Sequence, residues 1–431
     1  MGIEKSGKSK WQRTRKLAND IHLWLGLASG LIVIAVCFSG TVYVFNTEIS
    51  EHAAPHLYCV EAKEGEARLP IDTLLVRAKQ NATGKISGIT VPAGSDRTFQ
   101  FIFRKEEETS QRGGSTVYMV NPYTGEVVGT SNEKNGTKEF MRAMFSLHRW
   151  LLLDRIEKPL IKGVPNRELG SMITGWATII FTIGCITGLI IWFPQKAKYW
   201  KQGLKIKWNA GWKRVNHDLH NTLAFYSLIF LLLMGLTGPQ WSFEWYRTGL
   251  QKTLGTYKPG EKGKGEGRGE QERRGEVRME RRREGPPVKQ SERVLQNSRQ
   301  SVDSLTSATV QISADEYLRI ADSILPFKGT TMINFAVGPD AKTIISKTKT
   351  GFFAPAAGDR ITIDPVTGKV LKTDIFRKKP LNERIAGSIK AIHIGNVYGT
   401  FTKLLYFLAC LIATTLPVTG LMIWLNKKRR Q

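Results

Sequence analysis

HLWLGLASGLIVIAVCFSG (22–40) and HNTLAFYSLIFLLLMGLTG (220–238) decide the fold. Each is an apolar run opened by a histidine and closed by a glycine, after Ser39 in the first and Thr237 in the second. Histidine and glycine stand 18 positions apart in both. The match continues outward. Each run leads to a polar segment that ends in one phrase, VNPYTGEVVGT (120–130) or IDPVTGKVLKT (363–373). A second histidine follows, His148 or His393, at 23 and 25 residues past the phrase's glycine. Each half closes on another apolar run that ends TGLIIWFPQK (187–196) or TGLMIWLNKK (419–428). Self-similarity on this scale sets an architecture. The chain reads as a tandem duplication with metal-ligand side chains at matched depths.

The 431 residues carry a formal charge of +26. Four apolar stretches, 21–45, 171–193, 219–242 and 400–425, are long enough for a bilayer, which takes ~20 helical residues. The polar segments between them hold the mean hydropathy at −0.22. The first stretch follows a basic tail, 1–20, with Lys5, Lys8, Lys10, Arg13, Arg15 and Lys16. A secretory signal begins the same way, but this run is too long and lacks a small-x-small cleavage site, so it is expected to stay as an anchor. The loop 194–218 carries Lys196, Lys198, Lys201, Lys205, Lys207, Lys213 and Arg214, with no acid before Asp218. The tail 426–431 includes Lys427, Lys428, Arg429 and Arg430. Three basic ends on one face predict cytoplasmic N- and C-termini by the positive-inside rule. The long segments 46–170 and 243–399 then lie outside. This topological work accounts for much of the charge, and nucleic acid is not an expected partner.

Cys37, Cys185 and Cys410 fall in apolar spans and read as small buried residues. Cys59 stands alone in the first outer segment, so no disulfide within a domain is implied. No CxxCH indicates covalent haem attachment. No G-x-G-x-x-G follows a strand, and neither a Walker sequence nor HExxH occurs.

Each outer segment reads as a helix followed by strands. In the first, LPIDTLLVRAKQ has helical spacing, and ISGITVPA, TFQFIFR and TVYMVN alternate as strands before NPYTGEVV turns into a last one. In the second, SADEYLRIADSIL is a helix with a capping box of Ser313 and Glu316. TMINFAVGP, TIISKT and RITIDP follow as strands, and TGKVLKT closes the unit. Units of roughly 60 residues have marginal cores and need to lean on a neighbour or on the membrane. Between them, KGKGEGRGEQERRGEVRMERRREGPPVK (262–289) nearly lacks apolar residues and cannot order itself. A flexible insert over about 258–300 is expected.

At these residues the chain resembles the PepSY domain, with its D-P-x-T-G-x-V ending, set between helices as in the PepSY-associated transmembrane proteins. The resemblance takes in His-Leu-Trp-Leu-Gly (22–26), Leu-His-Arg-Trp (147–150), Asp-Leu-His (218–220) and Ile-His-x-Gly (392–395). Asn121 departs from it where the second unit has Asp364. The implied fold is an α+β membrane protein: a four-helix transmembrane bundle with two small α+β PepSY-like domains on the extracytoplasmic side of a bacterial inner membrane.

His22 and His220 enter the membrane from the basic end, and ionisable residues at such depth tend to be functional. Around a pseudo-twofold axis along the membrane normal the two rings would face one another, the arrangement that bis-imidazole ligation of a haem iron needs. Gly26 and Gly30, and Ala224 and Ser227, share the histidines' faces. These small residues either leave room for a flat macrocycle or allow close helix packing. His217 competes with His220 from three residues away; both the register and the Asp-Leu-His phrase favour His220, leaving His217 to support the site or contact a propionate. His148 and His393 lie at the outer side, His148 in a segment expected at the membrane interface, with Gly395 and Gly399 sparing space beside His393. They read either as a second pair of ligands or as separate structural residues, and Arg149 would pair with a propionate in the former case. His52 and His56 are expected in a loop and take no role. With ~1.5 Å of rise per residue, 18 residues span ~27 Å, close to the hydrocarbon thickness. Two b-type haems, one near each membrane face, would form a path across it.

The resemblance implies a ferric-siderophore reductase-type oxidoreductase, with a ferric siderophore or other ferric chelate outside as acceptor. A quinol or a cytoplasmic reductase would be the donor. The basic loop, with Trp200, Trp208 and Trp212, suits anionic lipid headgroups and could also receive such a reductase. The alternatives are a non-enzymatic PepSY-domain protein that binds or regulates a peptide or protease, and an iron-uptake scaffold.

Overall fold

The computed structural model describes residues 10–62, 65–104, 115–194, 196–259, 312–335 and 342–429. The expected insert from 260 onward lies outside the described residues, as do Lys5, Lys8 and Arg430. The chain opens with α1 (Lys10–Tyr43) and two short helices, α2 (Asn46–Ala53) and α3 (Pro55–Tyr58). A first unit follows: α4 (Ile71–Asn81), β1 (Lys85–Val91), β2 (Phe99–Arg104), β3 (Ser115–Val120) and β4 (Val127–Thr130). Next, α5 (Gly136–Trp150) leads into α6 (Asn166–Trp192), and a basic connection reaches α7 (Trp212–Thr237). Beyond α8 (Glu244–Thr253) comes a second unit: α9 (Ala314–Ile324), β5 (Gly329–Asn334), β6 (Thr343–Lys349), β7 (Asp359–Ile363) and β8 (Val370–Asp374). Finally, α10 (Leu381–His393) leads into α11 (Gly399–Lys428).

Among the described residues, four helices are long and apolar enough to cross a membrane: α1, α6, α7 with its extension to Trp241, and α11. α1, α7 and α11 overrun the apolar stretches at the basic end, and α6 overruns its stretch at the other end. Residues 10–20, read as a tail, form about three further turns of α1. Lys, Arg, Gln, Leu and Ala are good helix formers, and nothing there stops the helix. His52 and His56, expected in a loop, lie in α2 and α3.

The two α/β units do not stand apart. Their strands form one antiparallel sheet in the order β4-β3-β2-β1-β5-β6-β7-β8. The seam is the β1–β5 pair, running from Gly88 opposite Asn334 to Val91 opposite Thr331. The seam removes an exposed edge from each unit and gives each small core a neighbour. Alternation sets the faces. Phe99, Phe101 and Phe103 of β2 point inward onto Ile71, Leu74 and Ala78 of α4. Across the seam, Ile333, Ile345, Ile361 and Ile363 pack on Tyr317 and Ala321 of α9. Burial of each such side chain is worth about 1.5–3 kcal/mol.

A reciprocal clasp joins α4 to α9. Asp315 accepts from the backbone amides of Ile71 (2.8 Å) and Asp72 (3.0 Å), and Asp72 accepts from those of Ala314 (3.0 Å) and Asp315 (3.3 Å). Each helix start is thus capped by the other's carboxylate, satisfying amides that no helix can pair internally. The expected capping box on α9 is half made. The Ser313 hydroxyl accepts from the Glu316 amide at 3.1 Å, but the Glu316 carboxylate turns outward to grip Arg319 at 2.6 and 2.7 Å. Burial alone would raise the Asp72 carboxyl; the amides of Ala314 and Asp315 outweigh it and hold the group below its ordinary value.

A carboxyl depressed on folding stabilises the protein above its unfolded pKa, and that stability is lost as pH falls through the folded value. Asp72→Ala is expected to cost about 1 kcal/mol at pH 7. It should also flatten the loss of stability below about pH 4, near the ordinary aspartate value. Thermal unfolding followed by circular dichroism between pH 7 and pH 3 measures both; an unchanged acid limb would remove the clasp from the account.

Candidate functional site

The helix bundle holds two facing pairs of histidines, and each ring rests on a glycine of a neighbouring helix. His22 on α1 lies against α6: its Nδ1 is 3.0 Å from the Gly184 carbonyl and 3.2 Å from the Thr187 hydroxyl. A Cβ added at Gly188 would stand 3.2 Å from the His22 Cε1. His220 on α7 repeats this against α11, with Nδ1 2.9 Å from the Thr419 hydroxyl and Cε1 3.3 Å from a Cβ placed on Gly420. At the sheet end, His148 on α5 has Nδ1 2.9 Å from the Val36 carbonyl of α1, and its Cε1 lies 3.2 Å from a Cβ on Gly40. His393, the last residue of α10, has Nδ1 3.0 Å from the Thr237 hydroxyl and Cε1 3.3 Å from a Cβ on Gly238. All four glycines of the repeated phrases are therefore ring seats.

The partners fix the tautomer. A carbonyl only accepts, so Nδ1 of His22 and of His148 must donate. The Thr237 and Thr419 hydroxyls give their hydrogens to backbone carbonyls, Leu233 at 2.6 Å and Leu416 at 3.0 Å. They too are left to accept. In all four rings Nδ1 carries the hydrogen, and Nε2 keeps the lone pair that binds a metal. Hydrogen bonds of this kind orient ligating histidines and raise their basicity.

The ring centroids are 6.3 Å apart for His22 and His220 and 6.2 Å for His148 and His393, with the planes at 85° and 61°. Two imidazoles bound to one ion from opposite sides, with metal–nitrogen bonds of ~2.0–2.1 Å and nitrogen about 1.1 Å from each ring centre, have centroids about 6.3 Å apart. No group of three or more metal-ligating side chains occurs among the described residues. Two ligands alone suit a metal that brings its own equatorial set. His22 and the Gly40 seat of His148 lie 18 residues apart on α1, so the pairs are separated by ~27 Å along the bundle. Between them Cys37, Cys185 and Met234 pack around Leu231, Ala409 and Ala413, and Cys410 lies 3.4 Å from the Met234 sulfur.

Other expected residues fall elsewhere. His217 is half exposed, held by Asn221 at 3.2 Å and lying 3.7 Å from Asp218, outside the facing pair. Gly30 does not open room for a ligand; a Cβ there would meet Pro417 at 3.3 Å, so it serves helix packing, whereas Gly26 has nothing within 4 Å. Ser227 is buried and bonds its own helix. Gly395 and Gly399 are turn residues, with φ of +73° and +57°. The missing side chain of Gly395 is filled by Tyr406.

Arg149 extends beside the outer pair and donates to the Trp241 carbonyl at 3.1 Å. Among the described residues no carboxylate pairs with it. Burial, and secondarily the charge of Arg167, push it down to about 10. Burial likewise lowers His148, and takes His393 down to about 3, with His148 and Arg149 as like-charged neighbours. Both rings are accordingly neutral, as ligation requires. Two consecutive leucines hold α5 in place: Leu151 and Leu152 have φ of +53° and +62°, a left-handed geometry that costs about 1–3 kcal/mol per residue. The turn sets the end of α5 on α6, where Thr174 bonds the Arg149 carbonyl at 3.0 Å and Gly170 lets Trp150 approach. The loop after it, 156–165, is largely exposed and is tied by Asn166 to the Ile156 and Lys158 carbonyls. A cleft of about 790 Å³ opens beside α5, lined by charged side chains such as Lys138, Arg142, Glu51 and Glu133 and by apolar ones such as Tyr43, Phe145 and Trp150.

The sequence profile of a family described as the PepSY-associated TM region matches residues 20–427. The chain belongs to that family. All four seated histidines lie within the match, as do their glycines and Arg149. No curated protein matches the chain. For this PepSY-associated protein, sequence reading missed the threonines that serve the rings. The repeated Thr-Gly pairs at 187–188, 237–238 and 419–420 were the available signal. The first half breaks the pattern with Ser39-Gly40, where Ser39 bonds the Ala35 carbonyl at 2.6 Å and His148 takes Val36 instead.

Replacing Gly40, Gly188, Gly238 or Gly420 by alanine should destabilise the protein by about 1–3 kcal/mol, since each new methyl crowds an imidazole in a packed core. Gly26→Ala, into open space, should instead gain up to about 1 kcal/mol from helix propensity. Thermal unfolding in detergent compares the five variants; equal effects at Gly26 and at the seats would argue against the seating role.

Proposed function

We propose that this protein binds two b-type haems, one between His22 and His220 and one between His148 and His393, and carries electrons across the bilayer to a ferric chelate outside. The observation behind this reading is the two facing imidazole pairs, each ring locked at Nδ1, at opposite ends of an apolar bundle. A haem held by two neutral imidazoles supplies reversible one-electron transfer. The chain's own residues do the rest. Nε2 of each histidine provides an axial ligand. The carbonyls of Gly184 and Val36 and the hydroxyls of Thr237 and Thr419 hold the rings. Arg149, a cation without a carboxylate among the described residues, suits a propionate.

On this reading the halves descend from a tandem duplication, and the sheet joins two PepSY-like units. The basic end of the bundle faces the cytoplasm of a bacterial inner membrane, and the sheet faces outward. The mixed-charge cleft beside α5 would receive a ferric siderophore or similar chelate, whose iron is released once reduced. No nucleophile or general base is required. A second reading is favoured by β8, which ends the sheet and whose middle residues are exposed: such an edge accepts an added peptide strand, as a protein that binds or regulates a peptide or protease would use.

Detergent-purified protein should show a Soret band with reducible α and β bands and about two irons per chain. His22→Ala or His220→Ala should lower that to about one. His148→Ala or His393→Ala should remove the other. Colourless folded protein from a haem-replete host would reject the haem reading in favour of the peptide-binding one.

A further inference from the structure

At the basic end an apolar pocket of about 510 Å³ opens between α6 and α7, lined by Trp11, Leu189, Trp192, Phe193, Trp200 and Phe225 among others. Its size lies in the range of small-molecule sites. One wall is flat, with the Trp192 and Phe225 rings stacked at 3.9 Å between centroids and 13° between planes. The Trp192 indole is already satisfied by the Gly203 carbonyl at 3.2 Å. The Trp11 indole is not; its Nε1 is buried and has no partner among the described residues. An indole N–H only donates, and a buried donor is seldom left unpaired. The pocket therefore calls for a flat apolar ring that carries an acceptor oxygen at its rim.

The location narrows the class. Trp192 lies one turn beyond Gly188, the seat of His22, and Phe225 lies five residues beyond His220. Leu189 and Phe193 are exposed on the outer surface of the apolar bundle, so a hydrophobic molecule can enter laterally. We infer that this pocket binds the head group of a membrane quinone, with a ring carbonyl accepting from Trp11 Nε1 and the ring against Trp192 and Phe225. A lipid ester also offers a carbonyl, but an acyl chain makes no use of a stacked aromatic wall. The choice of a redox-active ring rests on the electron-carrying reading, since the site lies at the same end of the bundle as the inner histidine pair; the ring and the acceptor oxygen follow from the stacked wall and the unpaired Trp11 indole.

The test uses haem-loaded protein in nanodiscs of defined phospholipid, titrated calorimetrically with a short-tailed ubiquinone or menaquinone analogue. Saturable binding near one per chain is expected. Trp11→Phe keeps the ring and removes the donor, and should weaken binding about five- to tenfold, the value of one hydrogen bond, with haem content unchanged. Trp192→Ala should weaken it further. Absence of saturable binding, or equal affinity in wild type and Trp11→Phe, overturns the proposal. So does a co-purifying phospholipid that the analogue cannot displace, or loss of haem in Trp11→Phe, which would assign the pocket to the haem. Haem content, read from the same samples, separates the two ideas. Quinone binding without haem leaves the pocket and rejects electron transfer; haem without quinone binding does the reverse.

Discussion

Four half-buried imidazoles, each donating from Nδ1 to an oxygen of the adjacent helix, govern how this bundle can be built. A neutral ring inside an apolar bundle needs a partner for its hydrogen, since an unmade bond there costs about 1–3 kcal/mol. The partner must sit within reach of a helix surface, which brings the helices close. The glycines are the consequence: with Gly40, Gly188, Gly238 and Gly420 at the contacts, rings lie almost on the neighbouring backbone. Helix spacing, ring orientation and the identity of the free nitrogen are therefore fixed together. Mispacking a seat disturbs all three.

The sheet solves a different problem with the same economy. Two units of four strands would each carry a small core and an open inner edge. The β1–β5 seam closes those edges, and the Asp72–Asp315 clasp ties the helices above them. At the site end, Leu151 and Leu152 bear an unfavourable backbone so that His148 can turn into the bundle while Arg149 stays beside it. Strain of this kind persists only where the surroundings over-determine it; the Thr174 bond and the Gly170 contact supply that determination.

Much of this was legible in the chain. The four apolar runs and the strands at 86–93, 98–104, 343–348 and 360–365 follow from periodicity, because side-chain spacing reports local geometry directly. So did the histidine registers, since a repeated sequence places equivalent residues equivalently. What stayed hidden depended on contacts between distant segments. No local pattern announces that β1 pairs with β5, or that Asp72 caps a helix more than 240 residues away. Gly30 illustrates the same limit. Its spacing from His22 suited either room or packing, and only Pro417, from the far end of the chain, decides for packing. The capping box failed for a local reason: Arg319 offered Glu316 a bidentate partner that the helix start could not match.

The seam has a further consequence. The polypeptide up to α8 is held to the polypeptide from α9 onward by strand pairing, by the clasp and by α1 packing with α11. Severing the polypeptide between α8 and α9 would leave these attachments whole. The architecture is thus suited to being supplied as two separate polypeptides that find one another.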